Sequence, residues 1–310
     1  FSFDIIPSSQ LDNMLVVKSP APEYPADFSG GFILVNTKDV PSSNLFTISV
    51  GTSLNDQTHF KKFLYNKGSG TDFLGFDNGF RSLKGGINAV LNPINNGYDL
   101  LNNGLNNDWT VKDRRPLADL SMNMNFSRRW VDSSGRTLAM LGTVNYSNSY
   151  KTYLDMDNNL FGAYDTTHDC SNYLRKSIDD QYNHNVRIGT MLNFTYVPAS
   201  GNSRYEFKNI FNQLGKDRYT YRKGTDAQSD YEESAEYYYQ SRTTYNGQFT
   251  GKHTLGDADK LDWSTGYSYA NRNMPDRRRY TTVLNEETNQ LEVENLNEIN
   301  REFSRLDEHI

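Results

Sequence analysis

Residues 155–159 read DMDNN, the nearest approach in this chain to a metal-binding run. Asp155, Asp157 and Asn159 stand at alternate positions, the spacing with which an oxygen-rich loop begins to wrap Ca²⁺. The glycine such a loop needs next is Leu160, and the closing glutamate is missing. The run reads first as an acidic loop tip, with a surface Ca²⁺ site as its alternative. The histidines His59, His168, His184, His253 and His309 are scattered, form no HExxH-type pair, and read as solvated loop residues. Cys170 is the only cysteine, which excludes an intrachain disulfide and a thiolate metal cluster. No GxSxG elbow presents a nucleophilic serine. GSGTDFLGFDNG at 68–79 is glycine-rich but lacks the Lys-Ser/Thr of a phosphate loop, and it reads as loop conformation. No catalytic residue, resident metal or cofactor is expected, and the chain does not read as an enzyme.

What remains is recognition chemistry. The stretch DRYTYRKGTDAQSDYEESAEYYYQ at 217–240 mixes aromatic rings with charge. In an outer loop, Tyr219, Tyr221 and Arg222 are candidate contacts to a sugar, chelate or peptide. Tyr237 to Tyr239 read instead as an interfacial girdle, because tyrosine collects where membrane meets water. For Tyr219 and Tyr221 both readings stand.

The elements that would carry these residues are of two kinds. Before residue 40 the apolar runs are unbroken: Ile5-Ile6, Met14 to Val17 and Phe32 to Val35. Unbroken runs predict strands buried on both faces. Gly30-Gly31 directly precedes the last of them, as a tight turn or close backbone approach requires. After Pro41 the period becomes two. In 119–130, Leu120, Met122, Met124 and Phe126 oppose Ser121, Asn123, Asn125 and Ser127. In 185–197, Val186, Ile188, Leu192, Phe194 and Tyr196 oppose Arg187, Gly189, Asn193 and Thr195. The same alternation runs through 44–54, 137–150, 204–214, 237–251 and 260–270, with an eighth strand beginning near the end.

Composition suits such strands. Of 310 residues only 36% are hydrophobic, with 21 Tyr and 17 Phe among them, and the mean hydropathy is −0.76. A sheet with one apolar face needs no more. The net charge of −6 implies no basic surface, so no nucleic-acid partner is expected. No apolar run reaches the ~18 residues of a spanning helix. The chain opens on Phe1-Ser2-Phe3 with no signal peptide and reads as a fragment.

Alternation alone fits a soluble sandwich as well as a membrane barrel. Strand and connection lengths separate the two. The predicted strands run to about 10–14 residues, against ~5–6 in ordinary sheets and ~9–11 for a tilted membrane strand. Connections alternate long (55–117, 151–184, 215–236, 271–300) and short (132–136, 198–202, 253–259). Outer-membrane barrels segregate long outer loops from short periplasmic turns in this way.

NMLVVKSPAPEYPADFSGGFILVNTKD at 13–39 resembles the end of the plug domain of TonB-dependent outer-membrane receptors. Gly30-Gly31 stands where that family has its glycine pair, and Asn36-Thr37-Lys38 where it has its closing residues. The lead-in Tyr24 to Phe28 looks like the Bacteroidetes variant. NNDWTVKDRRPLADLSMNMNFS at 106–127 is similar to the start of the second barrel strand in such receptors.

The resemblance implies an all-β-dominated chain. Residues 1–40 would be the C-terminal part of a mixed α/β plug domain. Residues 41–310 would be the N-terminal portion of an antiparallel transmembrane β-barrel, 7–8 strands of about 22, with long extracellular loops. Import of an extracellular small-molecule, glycan or peptide ligand is implied. The implied partners are outer-membrane lipid, a TonB complex acting through a segment absent here, and a surface lipoprotein. The implied location is the outer membrane of a Gram-negative cell. The alternatives are a surface adhesin or structural barrel without transport, and a soluble secreted β-sheet binding protein.

Overall fold

Every peptide group of a strand needs a hydrogen-bonding neighbour, and this chain supplies them by folding back on itself repeatedly. The computed structural model describes residues 11–19, 21, 30–37, 43–83, 104–256, 259–293 and 299–310. Lys38, Ile5-Ile6 and the Tyr24 to Phe28 lead-in fall outside them. The described chain is all-β, with one 3-10 turn at Asp72–Leu74 and no α-helix. No helix among the described residues is long and apolar enough to cross a membrane.

Two strands stand apart as an antiparallel pair, β1 (Leu11–Val17) and β2 (Phe32–Thr37). Gly30 has φ +131°, and a Cβ on Gly31 would lie 3.0 Å from the Val17 carbonyl oxygen. The glycine pair thus permits both the turn and the close approach expected of it. Burial on both faces is not found, however: Met14, Leu15, Val16 and Ile33 are between 45% and 52% exposed. A two-stranded ribbon has two free faces, and no layer among the described residues covers either.

The main sheet is an antiparallel meander. Its long strands are β3 (Leu45–Ser53), β6 (Asp119–Val131), β7 (Thr137–Asp157), β9 (Cys170–Val197), β10 (Ser203–Asp226), β11 (Tyr231–Leu255), β12 (Asp259–Asn285) and β14 (Asn300–His309). They pair in that order, with β8 (Leu160–Asp165) on β9 and β13 (Gln290–Glu292) on β12. A separate small pair, β4 (Phe63–Asn66) with β5 (Val111–Arg114), lies in the β3–β6 connection. Among the described residues the sheet does not close, and β3 is one free edge.

Several expected loops are strands. β9 has 28 residues, β12 has 27, β11 has 25 and β10 has 24. The stretch expected as a loop over 215–236 is a continuous ribbon broken only by the turn between Asp226 and Tyr231. Likewise 151–184 is the far half of β7, then β8, then β9. The short turns after β6 and β9 lie where expected, with Gly135 at φ +83° and Gly201 at φ +72°.

The two faces of the sheet are distributed against the usual sense. On one face Thr143, Met191, Asn193, Thr195, Glu206 and Asn212 are each less than 6% exposed. On the other, Phe46, Ile48, Val50, Leu120, Leu138, Tyr196, Phe207 and Tyr267 are between 39% and 68% exposed. The polar face is buried and the apolar face is open. Among the described residues no other element packs on the polar face there. Neighbouring side chains satisfy one another: Thr143 Oγ1 donates to Asn125 (2.8 Å), Asn125 Nδ2 to Asn123 (2.7 Å), and Asn123 Nδ2 to Asn145 (2.5 Å). Unmatched, each such group would cost about 1–3 kcal/mol.

On the outer face, one cross-strand row holds Trp130, Leu138, Tyr196, Tyr205, Gly251 and Trp263. The Trp263 ring lies over Gly251, where any Cβ would clash. Another row holds Val50, Met122, Tyr146, Ile188, Gln213 and Thr243. Between them run eight residue steps, Leu138 to Tyr146, or about 26 Å along the strand. This is the apolar band.

Beyond the band the outer face is covered by the described parts of the β3–β6 connection, residues 54–83 and 104–118. Phe63 is 1% exposed. It sits edge-on to Tyr150 (5.4 Å) and Tyr182 (5.5 Å), and Tyr219 and Tyr237 complete the cluster. Trp109 packs on Tyr237 and Tyr280. At Gly75 (φ +77°) the connection touches the sheet backbone, and a Cβ on Gly215 would lie 2.5 Å from the Gly75 Cα. Phe63→Ala is expected to cost about 3–5 kcal/mol and to free this segment. Gly215→Val should free it from the sheet side. Both are read as faster proteolysis within 55–83, with the β10–β11 ribbon still protected from hydrogen exchange.

Candidate functional site

Two clusters of ionisable groups lie beyond the apolar band, one on each face. The outer cluster lies under the docked connection. Arg81 donates to Asp72 (2.8 and 2.7 Å) and Asp77 (2.9 Å), stacks 4.0 Å from the Tyr239 ring centre and faces Asp217 at 3.9 Å. Arg278 donates to the Asp108 carbonyl and the Asn66 side chain, both at 2.7 Å. Arg301 bridges Asp276 and the Asn106 carbonyl. Three cations are thus spent on tying the connection to β10, β11, β12 and β14. The cavity among these residues is about 10 Å³, too small for a ligand. The cluster is a clasp.

His59 and His184 correct the expectation of solvated loop residues, whereas His168 lies exposed in the β8–β9 turn. His59 is 4% exposed; its Nδ1 accepts from the Asn55 N–H (2.7 Å), so Nε2 donates to Asp119 (3.0 Å). His184 stacks on Tyr150 at 4.4 Å and pairs with Asn148. Burial, with Arg114 and Arg81 nearby, pushes the His184 ring down to about 3, so it stays neutral.

The inner face carries the other cluster. A groove of about 470 Å³ is lined by eleven residues of β7, β9, β10 and β11. The pairing explains their convergence. Ser147, Arg187, Leu214 and Arg242 form one row, and Ser149, Asn185, Lys216 and Gln240 the next. Lys151 heads a third row with Asn183, Arg218 and Tyr238. None of the lining residues is acidic. With its amide turned to satisfy both ends, Gln240 donates to Tyr238 (2.5 Å) and accepts from Arg242 (3.1 Å) and Arg272 (2.5 Å). Partial burial and the neighbours Arg218 and Arg242 lower the pKa of Lys216. The groove offers cations, hydroxyls and amides.

The residues singled out from sequence lie elsewhere. Tyr219 is 6% exposed, stacked between Tyr182 (6.2 Å) and Tyr237 (5.3 Å) under the connection. Tyr221 packs against the same cluster. Arg222 is on the inner face, held by Asp179 at 2.7 and 2.8 Å. Tyr237 and Tyr239, expected in a girdle, are 4% and 3% exposed beneath protein. Asp155 sits at φ +53° in a bulge of β7, its N–H donating to Asp180. Asn159 accepts from the Ser177 N–H. With Asp157 they shape the β7–β8 turn, and no group of three or more metal-type ligands occurs among the described residues. Asn36 pairs with Asn13 across β1 and β2; Thr37 ends β2 opposite Leu11. Of the groove cations, Arg187 stood out in the sequence as a member of a polar face, and Arg242 falls in the alternating stretch 237–251. Their convergence with Lys151 and Lys216 depends on register, which alternation does not reveal.

No protein-family model, curated protein or solved structure matches this chain.

The clasp makes docking sensitive to pH. Burial pushes the Asp217 carboxyl up to about 6, opposed by Arg81 and reinforced by Asp72. A raised carboxyl pKa favours docking while the group is protonated, and that contribution is lost as the pH rises through about 6. The wild type should therefore lose protease resistance in 55–83 relative to Asp217→Asn between pH 5 and 7. An unchanged difference between the two proteins across that range would remove Asp217 from the clasp.

Proposed function

We propose that this chain is part of a TonB-dependent outer-membrane receptor, binding an extracellular nutrient ligand for import. The observation that carries the reading is the inverted burial of the main sheet. A soluble sandwich hides its apolar face against a second layer. Here the apolar face is open and the polar face is enclosed, as a lipid-facing wall around an aqueous lumen requires. The apolar band supports it by size. About 26 Å along a strand tilted near 40° gives about 20 Å of height, close to the ~25 Å band of outer-membrane barrels. The row of Trp130, Tyr196, Tyr205 and Trp263 supplies an aromatic girdle near the short turns.

On this reading β1 and β2 end the plug, and their open apolar side chains meet further plug residues. β3, β6, β7, β9, β10, β11, β12 and β14 are consecutive barrel strands. The far halves of the ribbons rise above the outer leaflet, with the β3–β6 connection wrapped against their outer side. Val186, on the apolar side of its alternating stretch, is 3% exposed and lies one row past the band. The inner-face groove is the leading place for ligand contact.

The faces are tested by charge. Met124→Arg, in the band, should cost about 2–4 kcal/mol in refolding from denaturant into lipid vesicles. Asn123→Arg, on the inner face, should cost clearly less. Equal costs would refute the assignment of faces.

Sidedness is tested by epitope tags. A tag at Gln228, in the turn between β10 and β11, should be reached by antibody on intact cells. A tag at Gly201 should be reached only after the outer membrane is opened. The reverse pattern would invert the topology, and a folded protein needing no detergent would end the membrane reading.

A further inference from the structure

The apolar band has two rims. At the rim near the short turns the strands themselves supply the rings of Trp130, Tyr196, Tyr205 and Trp263. At the opposite rim the first outer row past Tyr146 holds Leu120, Asn148, Val186 and Gly215. The strand tyrosines farther along, Tyr219, Tyr237 and Tyr239, are covered by the docked connection and between 3% and 6% exposed. What faces outward there is the connection.

A segment seated on a protein surface ordinarily turns its polar side to water. This one buries Phe63 and leaves Leu54, Phe60, Phe73, Phe76 and Leu117 between 38% and 73% exposed. Their anchors place them at the rim. Tyr146 Oη, in the last row of the band, donates to the Phe73 carbonyl (2.9 Å). Gln213, in the same row, donates to the Gly75 carbonyl. Leu54 directly follows Ser53, which pairs with Asp119, and Leu117 lies two residues before Asp119. The Phe60 N–H donates to the Pro116 carbonyl (2.9 Å), which ties Phe60 to the same stretch. Phe60 is held at φ +63°, a conformation that a bulky residue rarely adopts. Burial within the chain does not offset that strain, because the residue stays 59% exposed. Lys61, Lys62 and Lys67 stand exposed among these rings, with Lys67 over Phe80 at 5.9 Å. Apolar side chains mixed with lysines suit the headgroup boundary, where rings and stems enter the lipid and charged ends stay in water.

We propose that the docked β3–β6 connection forms the outer-leaflet rim of the lipid-facing surface, with Leu54, Phe60, Phe73, Phe76 and Leu117 set in the headgroup boundary. The partner is a lipid surface, and the contact is continuous with the apolar band. The inference rests on the receptor reading and deepens it: a docked connection, rather than the strands alone, sets the upper edge of membrane contact. The aromatic seat around Phe63 and the arginine clasp hold that edge at one height.

The test uses nitroxide labels on the full chain refolded into phosphatidylcholine–phosphatidylglycerol vesicles. Cys170, exposed and the only cysteine, is first removed as Cys170→Ser. Single labels then enter through Phe60→Cys and Phe73→Cys, with Met124→Cys as the reference in the band and Gln228→Cys as the reference in water. Collisions with oxygen, which concentrates in lipid, are compared with collisions with a water-soluble nickel chelate. The oxygen-to-nickel ratio at positions 60 and 73 is expected to lie severalfold above that at 228. Ratios equal to that at 228 overturn the proposal. Shielding of both labels from both reagents also overturns it, since a protein surface would then cover them. A water-like ratio at 124 as well ends the receptor reading and this inference together. A lipid-like ratio at 124 with water-like ratios at 60 and 73 ends this inference alone. Should the labelled chains misfold, the wild type is irradiated in vesicles doped with a phospholipid that carries a diazirine near its glycerol backbone. Cross-links on peptides within 54–76 are expected, and cross-links confined to the strands of the band would overturn the proposal.

Discussion

The main sheet depends on a single constraint: its enclosed face is the polar one. Buried polar groups pointing inward are paired largely within the sheet, because among the described residues no second layer supplies partners. That requirement accounts for the chain's composition. Asn, Thr and Ser on the inner face of β6, β7 and β9 are short enough to bond laterally across one strand spacing, as Thr143, Asn125, Asn123 and Asn145 do. Farther along, where the face is wider, Arg–Glu and Arg–Asp pairs take over. Small inward residues, Ala139 and Gly189 among them, let the sheet curl toward that face. The outer face bears the complementary demand. Its exposed side chains from Phe46 to Tyr267 would gain about 25 cal/mol per Å² of apolar surface removed from water.

The same constraint decides what could be read from sequence. Alternation is visible only where one face is apolar, so β6 and the second half of β9 announced themselves, and the short turns with Gly135 and Gly201 followed. Past Tyr146 and Gln213 both faces become polar or mixed, as in Asp217-Arg218-Tyr219-Thr220-Tyr221-Arg222, and the period-two signal fades although the pairing continues without interruption. The far halves of the ribbons consequently looked like loops rich in Tyr and charge. The rings read as candidate ligand contacts or a girdle, Tyr219 and Tyr237, are instead the floor on which Phe63 rests. No local rule joins Phe63 to Tyr182, or Arg278 to Asn66, across such sequence separations.

The β3–β6 connection gains its stability from both kinds of interaction. Its aromatic half, Phe63 and Trp109, displaces water from tyrosines that would otherwise be half-open, with each edge-to-face contact adding about 0.5–1.5 kcal/mol. Its polar half sets directional limits. Arg81, Arg278 and Arg301 each bond to backbone or carboxylate groups that are themselves fixed, so the segment has one seat rather than a range of them. Gly75 against Gly215 brings two backbones into contact, which a side chain on either would prevent. The connection ties β7 to β12 and β14 from the outer side and restrains the ribbons beyond the apolar band from splaying.

That restraint bears on the groove behind it. Lys151, Arg187, Lys216 and Arg242 come from β7, β9, β10 and β11, and only the spacing of those strands sets the distance between their charges. Tyr150 and His184, which Phe63 and its neighbours cover, lie within one residue of Lys151 and Asn185 on the same strands. A side chain pointing outward into the aromatic seat and one pointing inward into the groove therefore share a backbone. Docking outside holds the register that collects positive charge inside. The two faces are thus linked through a shared backbone rather than through side-chain contact.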